Sequence, residues 1–147
     1  MRFSLLLPAM LLLFVNCDSI RSVNENNDAN ELLVLGDNYI IVLLNDEDVE
    51  NKGLTMNFDK LTDNVSGNAG CNQYFGSFQQ ENKNITFSKV AATKMYCKDA
   101  EVRKTEEQLL TILPSIKSMN GNKTGNINFY NDQSKLLMSI AYFKLNN

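Results

Sequence analysis

The chain has 147 residues, enough for one domain with a modest core once a leader is set aside. Hydrophobic residues make up 44% and charged residues 21%, the composition of a globular protein rather than a disordered one. The net charge of −3, without a local run of Lys and Arg, gives no electrostatic basis for nucleic-acid binding. The sequence has no histidine and therefore lacks the commonest general base and transition-metal ligand.

The first residues have the features of a bacterial export leader. Arg2 precedes an apolar run from Phe3 to Val15, which is too short to span a bilayer and predicts a signal peptide over residues 1–16. The run ends on Phe14-Val15-Asn16-Cys17, which resembles a lipobox, where the cysteine carries acyl chains such as palmitate. We therefore expect a lipoprotein of the bacterial cell envelope, anchored through Cys17 in the outer membrane. The alternative is an ordinary cleaved signal peptide in which Cys17 is incidental.

A change in composition after the leader predicts one domain boundary. Residues 17–31 are rich in Asn, Ser, Asp and Glu and cannot bury enough apolar surface to fold, so we expect a flexible tether. Residues 32–147 contain apolar runs separated by turn-forming residues and show no internal repeat. We predict a single folded domain over residues 32–147.

Short runs of β-branched, aromatic and alternating apolar residues predict a mostly β domain. The predicted strands lie within residues 32–35, 39–44, 54–58, 74–78, 85–87, 127–130 and 136–145. The polar residues from Asn45 to Gly53 predict a loop. Short strands with a single helix late in the chain predict a compact α+β fold, mostly β, with an antiparallel barrel-like sheet.

One segment has helical rather than strand periodicity. Its apolar side chains recur on one helical face, at Val102, Leu109, Leu110 and Leu113. Asp99 is a suitable N-cap, acidic residues occupy the first turns, and Pro114 stops the pattern. We predict an amphipathic helix over residues 99–113.

Cys71 and Cys97 remain as a pair if Cys17 carries lipid. An exported protein meets an oxidising compartment, where paired cysteines usually form disulfides. A bridge between them would stabilise the fold by roughly 3–4 kcal/mol. Free buried thiols and a thiol-redox function stay open as alternatives. A structural metal site would need further Cys or His ligands at characteristic spacing, so we expect no metal and no other cofactor.

The stretch from Gly67 to Gly76 concentrates glycine, asparagine and cysteine. Gly67 and Gly70 predict positive φ or a close backbone approach at a turn, and Gly76 predicts a bulge or tight bend. Asn72 could tie this turn together through its side-chain amide. The functional alternative is a nest of backbone N–H groups for an anion, but no Lys-Ser/Thr pair follows to complete a phosphate-binding loop.

Two groups of acidic residues are candidates for chemistry. Glu106 and Glu107 lie on a flank of the predicted helix that we expect to face solvent, and Asp46-Glu47-Asp48 lies in a loop. The loop does not complete the spacing of a calcium-binding loop. We expect both groups to be solvated surface.

Two motifs together resemble those of a known family. The sequence Val65-Ser66-Gly67-Asn68-Ala69-Gly70-Cys71-Asn72-Gln73-Tyr74-Phe75-Gly76 is similar to the V-S-G-x-x-G-C-N-x-Y-x-G motif of the META domain, also called the HslJ-like domain. The run Ala92-Thr93-Lys94-Met95-Tyr96-Cys97 is similar to that family's Thr-x-Met-x-Cys motif. The resemblance assigns structural motif positions to Gly67, Gly70, Asn72, Tyr74, Gly76, Thr93, Met95 and Glu101. The family commonly opens its first strand with Trp, whereas this chain has no Trp and has Tyr39 near that place.

The resemblance implies a small antiparallel domain with one helix, often found in envelope lipoproteins and without an established enzymatic activity. Its namesake is a heat-shock protein. We therefore expect a non-enzymatic, stress-related envelope lipoprotein that binds a protein partner or an apolar ligand such as an acyl chain, and no nucleic acid. The alternative is a thiol-redox or other envelope enzyme that uses Cys71 or Cys97.

Overall fold

The computed structural model describes residues 38–122 and 125–143. Within these ranges the strands are β1 (Asn38–Leu44), β2 (Glu47–Asp48), β3 (Thr55–Asp59), β4 (Asn64–Asn68), β5 (Gln73–Glu81), β6 (Asn84–Ala92), β7 (Ser118–Gly121), β8 (Ile127–Tyr130) and β9 (Leu136–Tyr142). Helix α1 (Ala100–Ile112) lies between β6 and β7, and short 3-10 helices lie at Glu50–Lys52 and Leu113–Ser115. The predicted signal peptide, Cys17, the tether and the predicted strand at 32–35 lie outside the described residues.

The strands form one antiparallel sheet that closes in a ring. From β3 to β9 each strand pairs with its neighbour in sequence, and β9 returns to pair with β1. β1 also pairs with β3 over its first residues and with the two-residue β2 at its end. The 3-10 helix that follows α1 contacts β6, which pairs with β7 only between Asn84 and Ser118. This ring with one helix confirms the predicted barrel-like, mostly β fold.

Because neighbouring strands run in opposite directions, the connections alternate between the two ends of the ring. The chain enters β1 at Asn38, and the Phe143 N–H donates a hydrogen bond to the Asn38 carbonyl at 2.9 Å. The turns after β3 and β5 share this end, which we name the entry end. The connections after β1, β4 and β6 lie at the opposite end, which we name the far end.

The inside of the ring is packed with apolar side chains. β3 shows the expected alternation, since Met56 and Phe58 are buried while Thr55 and Asn57 are only partly so. Edge-to-face ring contacts continue across the core, in the pairs Tyr39–Phe58, Phe58–Phe78 and Phe87–Phe129. The rings of Phe58 and Phe87 lie 6.2 Å apart and link these pairs, so core side chains from β1, β3, β5, β6 and β8 form one continuous set.

Helix α1 confirms the predicted helix. The Asp99 carboxylate accepts hydrogen bonds from the N–H groups of Glu101 and Val102, at 2.8 and 3.3 Å. Pro114 lies in the 3-10 turn that ends the helix, and Leu109 faces the core. Among the described residues, no helix is both long enough and apolar enough to cross a membrane.

β6 runs well beyond the predicted strand at 85–87. The prediction stops short because a bulge interrupts the alternation of apolar and polar residues in this strand. Lys89 has a φ of +53°, and the pairing register shifts opposite Gly76. A Cβ at Gly76 would lie 2.9 Å from the Ser88 carbonyl oxygen, so only glycine fits this bulge without a shift. After the bulge the in–out pattern changes, and the periodicity no longer predicts the second half of the strand.

A cross-linked corner as the candidate functional site

At the far end, a disulfide joins the β4–β5 turn to the chain that follows β6. Cys71 and Cys97 are 26 residues apart in sequence, and their Cα atoms are 6.2 Å apart. Cys97 belongs to residues 93–99, a stretch without regular secondary structure that we name the pinned segment. The predicted disulfide is confirmed, in place of two free thiols.

The same corner brings a carboxylate to the cysteines. Both sulfur atoms and a carboxylate oxygen of Glu106 lie within 4.8 Å of one another. Such donors could hold a soft metal ion only with both cysteines as thiolates. Because the two sulfurs are bonded to each other, this cluster is not a metal site in this structure.

Asn72 is the hydrogen-bonding centre of the corner and is 3% exposed. Its Oδ1 accepts hydrogen bonds from the Thr93 hydroxyl and from the Met95 N–H, both at 2.7 Å. Its Nδ2 donates to Oε1 of Glu106 at 2.9 Å, and its backbone N–H donates to Oε2 at 2.8 Å. The Asn72 carbonyl accepts from the Ala69 N–H at 2.8 Å, which closes the turn. One asparagine thus ties the turn to the pinned segment and to α1.

The expectation that Glu106 is solvated surface is wrong. The residue is partly buried, and both of its carboxylate oxygens accept hydrogen bonds from Asn72. Glu106 follows Val102 by four residues and precedes Leu109 by three, so it lies beside the inward face of α1. Glu107 is exposed as expected. Bonds to an ionised carboxylate are stronger than neutral ones, which makes Glu106 a structural partner of the turn.

Two glycines stand where a side chain would not fit. A Cβ at Gly67 would lie 2.0 Å from the Thr55 carbonyl oxygen, which accepts a hydrogen bond from the Tyr74 hydroxyl at 2.9 Å. Burial raises the pKa of the Tyr74 phenol, which keeps the hydroxyl protonated as a donor. Gly70 has a φ of +110°, and a Cβ there would lie 3.2 Å from the Val102 side chain. Gly67 thus permits close strand packing, and Gly70 lets α1 approach the turn.

Several contacts hold the backbone of the pinned segment, and its residues other than Cys97 are exposed. The Arg103 guanidinium donates from Nη1 to the carbonyls of Cys97 and Lys98, at 2.6 and 3.1 Å. Between these anchors, Met95 is 60% exposed and Tyr96 is 85% exposed. Two large apolar side chains therefore point into water from a backbone that is fixed on both sides.

A cleft of about 370 Å³ lies beside the corner, between the 3-10 helix after β2 and the start of α1. Its lining residues are Asn51, Lys52, Leu54, Gly70, Glu101, Val102 and Thr105. The Lys52 ammonium donates to Oε1 of Glu47 at 2.6 Å and to the Thr105 hydroxyl at 3.3 Å. Glu101 thus lines the cleft, whereas Glu106 is the acidic residue that bonds to Asn72.

Comparison with models of protein families matches residues 34–140 to the META domain. The chain belongs to the META domain family. The match spans both motifs and the strands that flank them, which confirms the resemblance predicted from the sequence. No curated protein matches the chain.

Two solved structures share the fold of this META domain. An NMR structure of a protein from Burkholderia xenovorans is 16% identical, with a TM-score of 0.61 over 80% of this chain and 88% of that chain. A second NMR structure is 15% identical, with a TM-score of 0.54 over 70% of this chain and 86% of the other. At these identities the likeness concerns the fold alone.

The motif positions of the META domain fall into separate places. The corner brings together Cys71, Asn72, Thr93, Met95 and Cys97. Gly67 and Tyr74 lie in adjacent strands, and Gly76 lies at the bulge. Two residues of the corner, Glu106 and Arg103, were not predicted. The spacing of Glu106 from the apolar helix face could have identified it, whereas the Arg103 contacts have no signal in the sequence.

Proposed function

We propose that this protein is a non-enzymatic binding protein of the cell envelope, whose META domain presents the pinned segment to a protein partner. One observation carries the proposal: Met95 and Tyr96 are exposed on a backbone held by a disulfide and by hydrogen bonds. Aromatic residues and Met are enriched in protein interfaces, and functional residues concentrate on loops that a rigid scaffold positions.

The contacts at the corner support an architectural role for its reactive groups. The sulfurs of Cys71 and Cys97 are bonded to each other, and the side chain of Asn72 is engaged by three residues. A nucleophile or general base needs an accessible atom within reach of a substrate. The corner instead offers exposed apolar side chains, which suit recognition better than chemistry.

We also propose that Cys17 carries a lipid that anchors the protein in the outer membrane. Two or three acyl chains give durable anchoring, since each buried methylene contributes about 0.8 kcal/mol. Mass spectrometry of the mature membrane-bound protein tests this directly. We expect an acylated N-terminal Cys17, and a Cys17→Ser variant that lacks the lipid and leaves the membrane fraction. An unmodified Cys17, or an N-terminus elsewhere, would contradict the anchor.

The family's heat-shock namesake supports a role under stress. Growth of a deletion strain after heat shock, complemented by the wild-type protein or by a Tyr96→Ala variant, tests this role. We expect a growth defect that the wild type restores and the variant does not. A deletion strain that grows normally after heat shock would argue against a stress function.

A second candidate function is the binding of a small apolar ligand in the cleft beside the corner. Leu54 and Val102 form the apolar part of the cleft lining. The cleft volume is at the small end of the range of volumes known for ligand sites. Native mass spectrometry after gentle purification would detect an added mass. A Val102→Phe variant places a larger side chain in the cleft, and the added mass of the ligand should then be absent. A protein that carries nothing would count against this version.

Photo-cross-linking tests the binding of a protein partner. The probe is p-benzoylphenylalanine at position 96 of the full-length protein in intact cells. The matched control places it at position 61, because Leu61 is 86% exposed in the turn after β3. We expect a protein adduct from position 96 and little from position 61. The absence of protein adducts from both positions would overturn the proposed function.

A further inference from the structure

We infer that the pinned segment docks onto an acidic, partly apolar protein surface, with Met95 and Tyr96 as apolar anchors and a cationic rim around them. The inference rests on the proposed binding function and adds the contact surface and the chemistry of the partner. The rim consists of Lys94, Lys98 and Arg103, which are all exposed.

The pinned segment is preorganised for docking. Asn72 holds the Met95 N–H, the disulfide holds Cys97, and Arg103 holds the carbonyls of Cys97 and Lys98. These contacts fix the backbone immediately before and immediately after Tyr96. A surface that is already ordered loses little conformational entropy on binding, and this favours affinity.

The apolar anchors have the composition of an interface centre. Tyr96 is 85% exposed and Met95 is 60% exposed, so both gain from burial against a partner. Tyr is enriched among the residues that dominate binding energies, and Met adapts to irregular apolar surfaces. The two residues are consecutive in the chain, so a partner that covers the pinned segment would bury both.

The exposed residues on either side of Met95-Tyr96-Cys97 in the chain are cationic, although the net charge of the protein is negative. The chain carries a net charge of −3, yet the exposed residues that flank Met95 and Tyr96 in sequence are Lys94 and Lys98. Arg103 adds a third positive charge, because its guanidinium bonds to the Lys98 carbonyl. Three acidic residues lie nearby, and each is engaged away from this rim. The Asp99 carboxylate accepts N–H bonds from α1, the Glu106 carboxylate accepts hydrogen bonds from Asn72, and Glu101 lines the cleft. A positive rim selects an acidic partner and speeds the encounter.

The topology favours a protein over a lipid bilayer as the occupant. The chain enters β1 at Asn38, at the entry end of the ring, whereas the pinned segment follows β6 at the far end. A lipid on Cys17 would connect to the entry end. The pinned segment therefore lies at the end of the ring opposite to the point where the chain from Cys17 joins β1, and it is open to another envelope protein there.

Charge reversal combined with cross-linking tests the inference. The full-length protein carries p-benzoylphenylalanine at position 96, with or without the substitutions Lys94→Glu and Lys98→Glu. The matched control is Lys60→Glu with Lys83→Glu, which changes the net charge equally at the turns of the entry end. We expect the first pair to lower the yield of the protein adduct by about tenfold and the control pair to leave it unchanged. The cross-linked peptide of the partner should carry an excess of Asp and Glu.

Each other outcome overturns the inference in a recognisable way. An adduct that survives reversal of Lys94 and Lys98, or a partner peptide without excess acid, would reject the cationic rim and leave the binding function standing. A protein adduct found only at position 61 would reject this surface. If lipid were the dominant adduct at position 96, the pinned segment would contact the bilayer and not a protein partner. No protein adduct at either position would reject the proposed function as well.

Discussion

Asn72 donates two hydrogen bonds to the carboxylate of Glu106, one from its backbone N–H at 2.8 Å and one from its side-chain amide at 2.9 Å. The two residues lie 34 positions apart in sequence, so this pair joins the β4–β5 turn to the middle of α1. The nearby disulfide joins the same turn to the pinned segment. The corner is therefore a three-way junction, held by one covalent bond and one buried asparagine.

Replacing Asn72 with Ala should destabilise the domain strongly. The change removes the side-chain partner of Oε1 of Glu106, of the Met95 N–H and of the Thr93 hydroxyl, while the backbone N–H of residue 72 still donates to Oε2 of Glu106. We expect the free energy of unfolding to fall by about 3 kcal/mol, since each unsatisfied buried group costs roughly 1–3 kcal/mol. Urea denaturation measures this. The exposed Asn64→Ala is the control and should change stability by less than about 0.5 kcal/mol. Equal small effects in both variants would contradict the role of Asn72.

Two neighbouring glutamates on α1 should respond differently to the same substitution. Glu106→Gln replaces one acceptor oxygen by an amide group that repels the donor of Asn72, and should cost about 1.5–3 kcal/mol, the range for bonds to charged groups. Glu107→Gln alters an exposed side chain and should cost less than about 0.5 kcal/mol. Chemical denaturation of both variants gives the comparison. If Glu106→Gln lowered the free energy of unfolding as little as Glu107→Gln, the hydrogen bonds from Asn72 to Glu106 would contribute little to stability.

Removal of the disulfide should weaken the fold without removing the binding surface. The double variant Cys71→Ser and Cys97→Ser opens a loop spanning 26 residues and should lower the free energy of unfolding by roughly 3–4 kcal/mol. Thermal unfolding measures the loss. At a temperature where the variant is folded, cross-linking from position 96 should persist. Complete loss of cross-linking from position 96 in a fully folded variant would favour the thiol-redox alternative.

Two glycine substitutions should separate steric exclusion from backbone strain. Gly67→Ala places a Cβ 2.0 Å from a backbone oxygen of Thr55, so the strands must move apart. We expect a loss of about 3 kcal/mol or more, at the upper end of overpacking effects. Gly53→Ala meets nothing within 4 Å and suffers only from its φ of +70°, for which we expect roughly 1–2 kcal/mol. Denaturant titrations that reversed this order would contradict the packing of β3 against β4.

Acid should destabilise the domain partly through Glu47. The hydrogen bond from Lys52, together with its charge, lowers the pKa of Glu47 from its ordinary value. Because the folded state lowers this pKa, its contribution to stability is full at neutral pH and is lost as the pH falls below about 4. The melting temperature should therefore fall less between pH 5 and pH 3 in Glu47→Gln than in the wild type. Lys52→Met should flatten the profile in the same way. Identical slopes in all three proteins would exclude this pair as a source of acid sensitivity.

Local signals in the sequence predict the helix and six of the nine described strands, whereas β2, β4 and β7 have no predicted counterpart. The helix followed from the Asp99 cap, the apolar spacing and Pro114, and the disulfide followed from two cysteines in an exported chain. The closure of the ring depends on the pairing of Tyr39 with Tyr142, a long-range contact for which the sequence has no signal. The helical pattern alone could not predict which flank of α1 faces the corner.

The sequence predicts the candidate site only in part, because some of its contacts join residues that are far apart in the chain. The motif placed Asn72, Thr93 and Met95 near the cysteines, and the structure brings them together. The sequence predicts Glu106 to be solvated surface, because a carboxylate is usually solvated and the partner of Glu106 lies far away in sequence. The exposure of Tyr96 depends on the path of a segment without regular structure, which no periodicity describes.

Amide hydrogen exchange of Met95 tests most directly whether the corner holds the pinned segment. The Met95 N–H donates to Oδ1 of Asn72 in a stretch that lacks secondary structure, so any protection must come from the corner. We predict exchange at least about a hundredfold slower than in an unstructured chain, and loss of this protection in Asn72→Ala. Fast exchange in the wild type, or protection that persists in Asn72→Ala, would contradict the account.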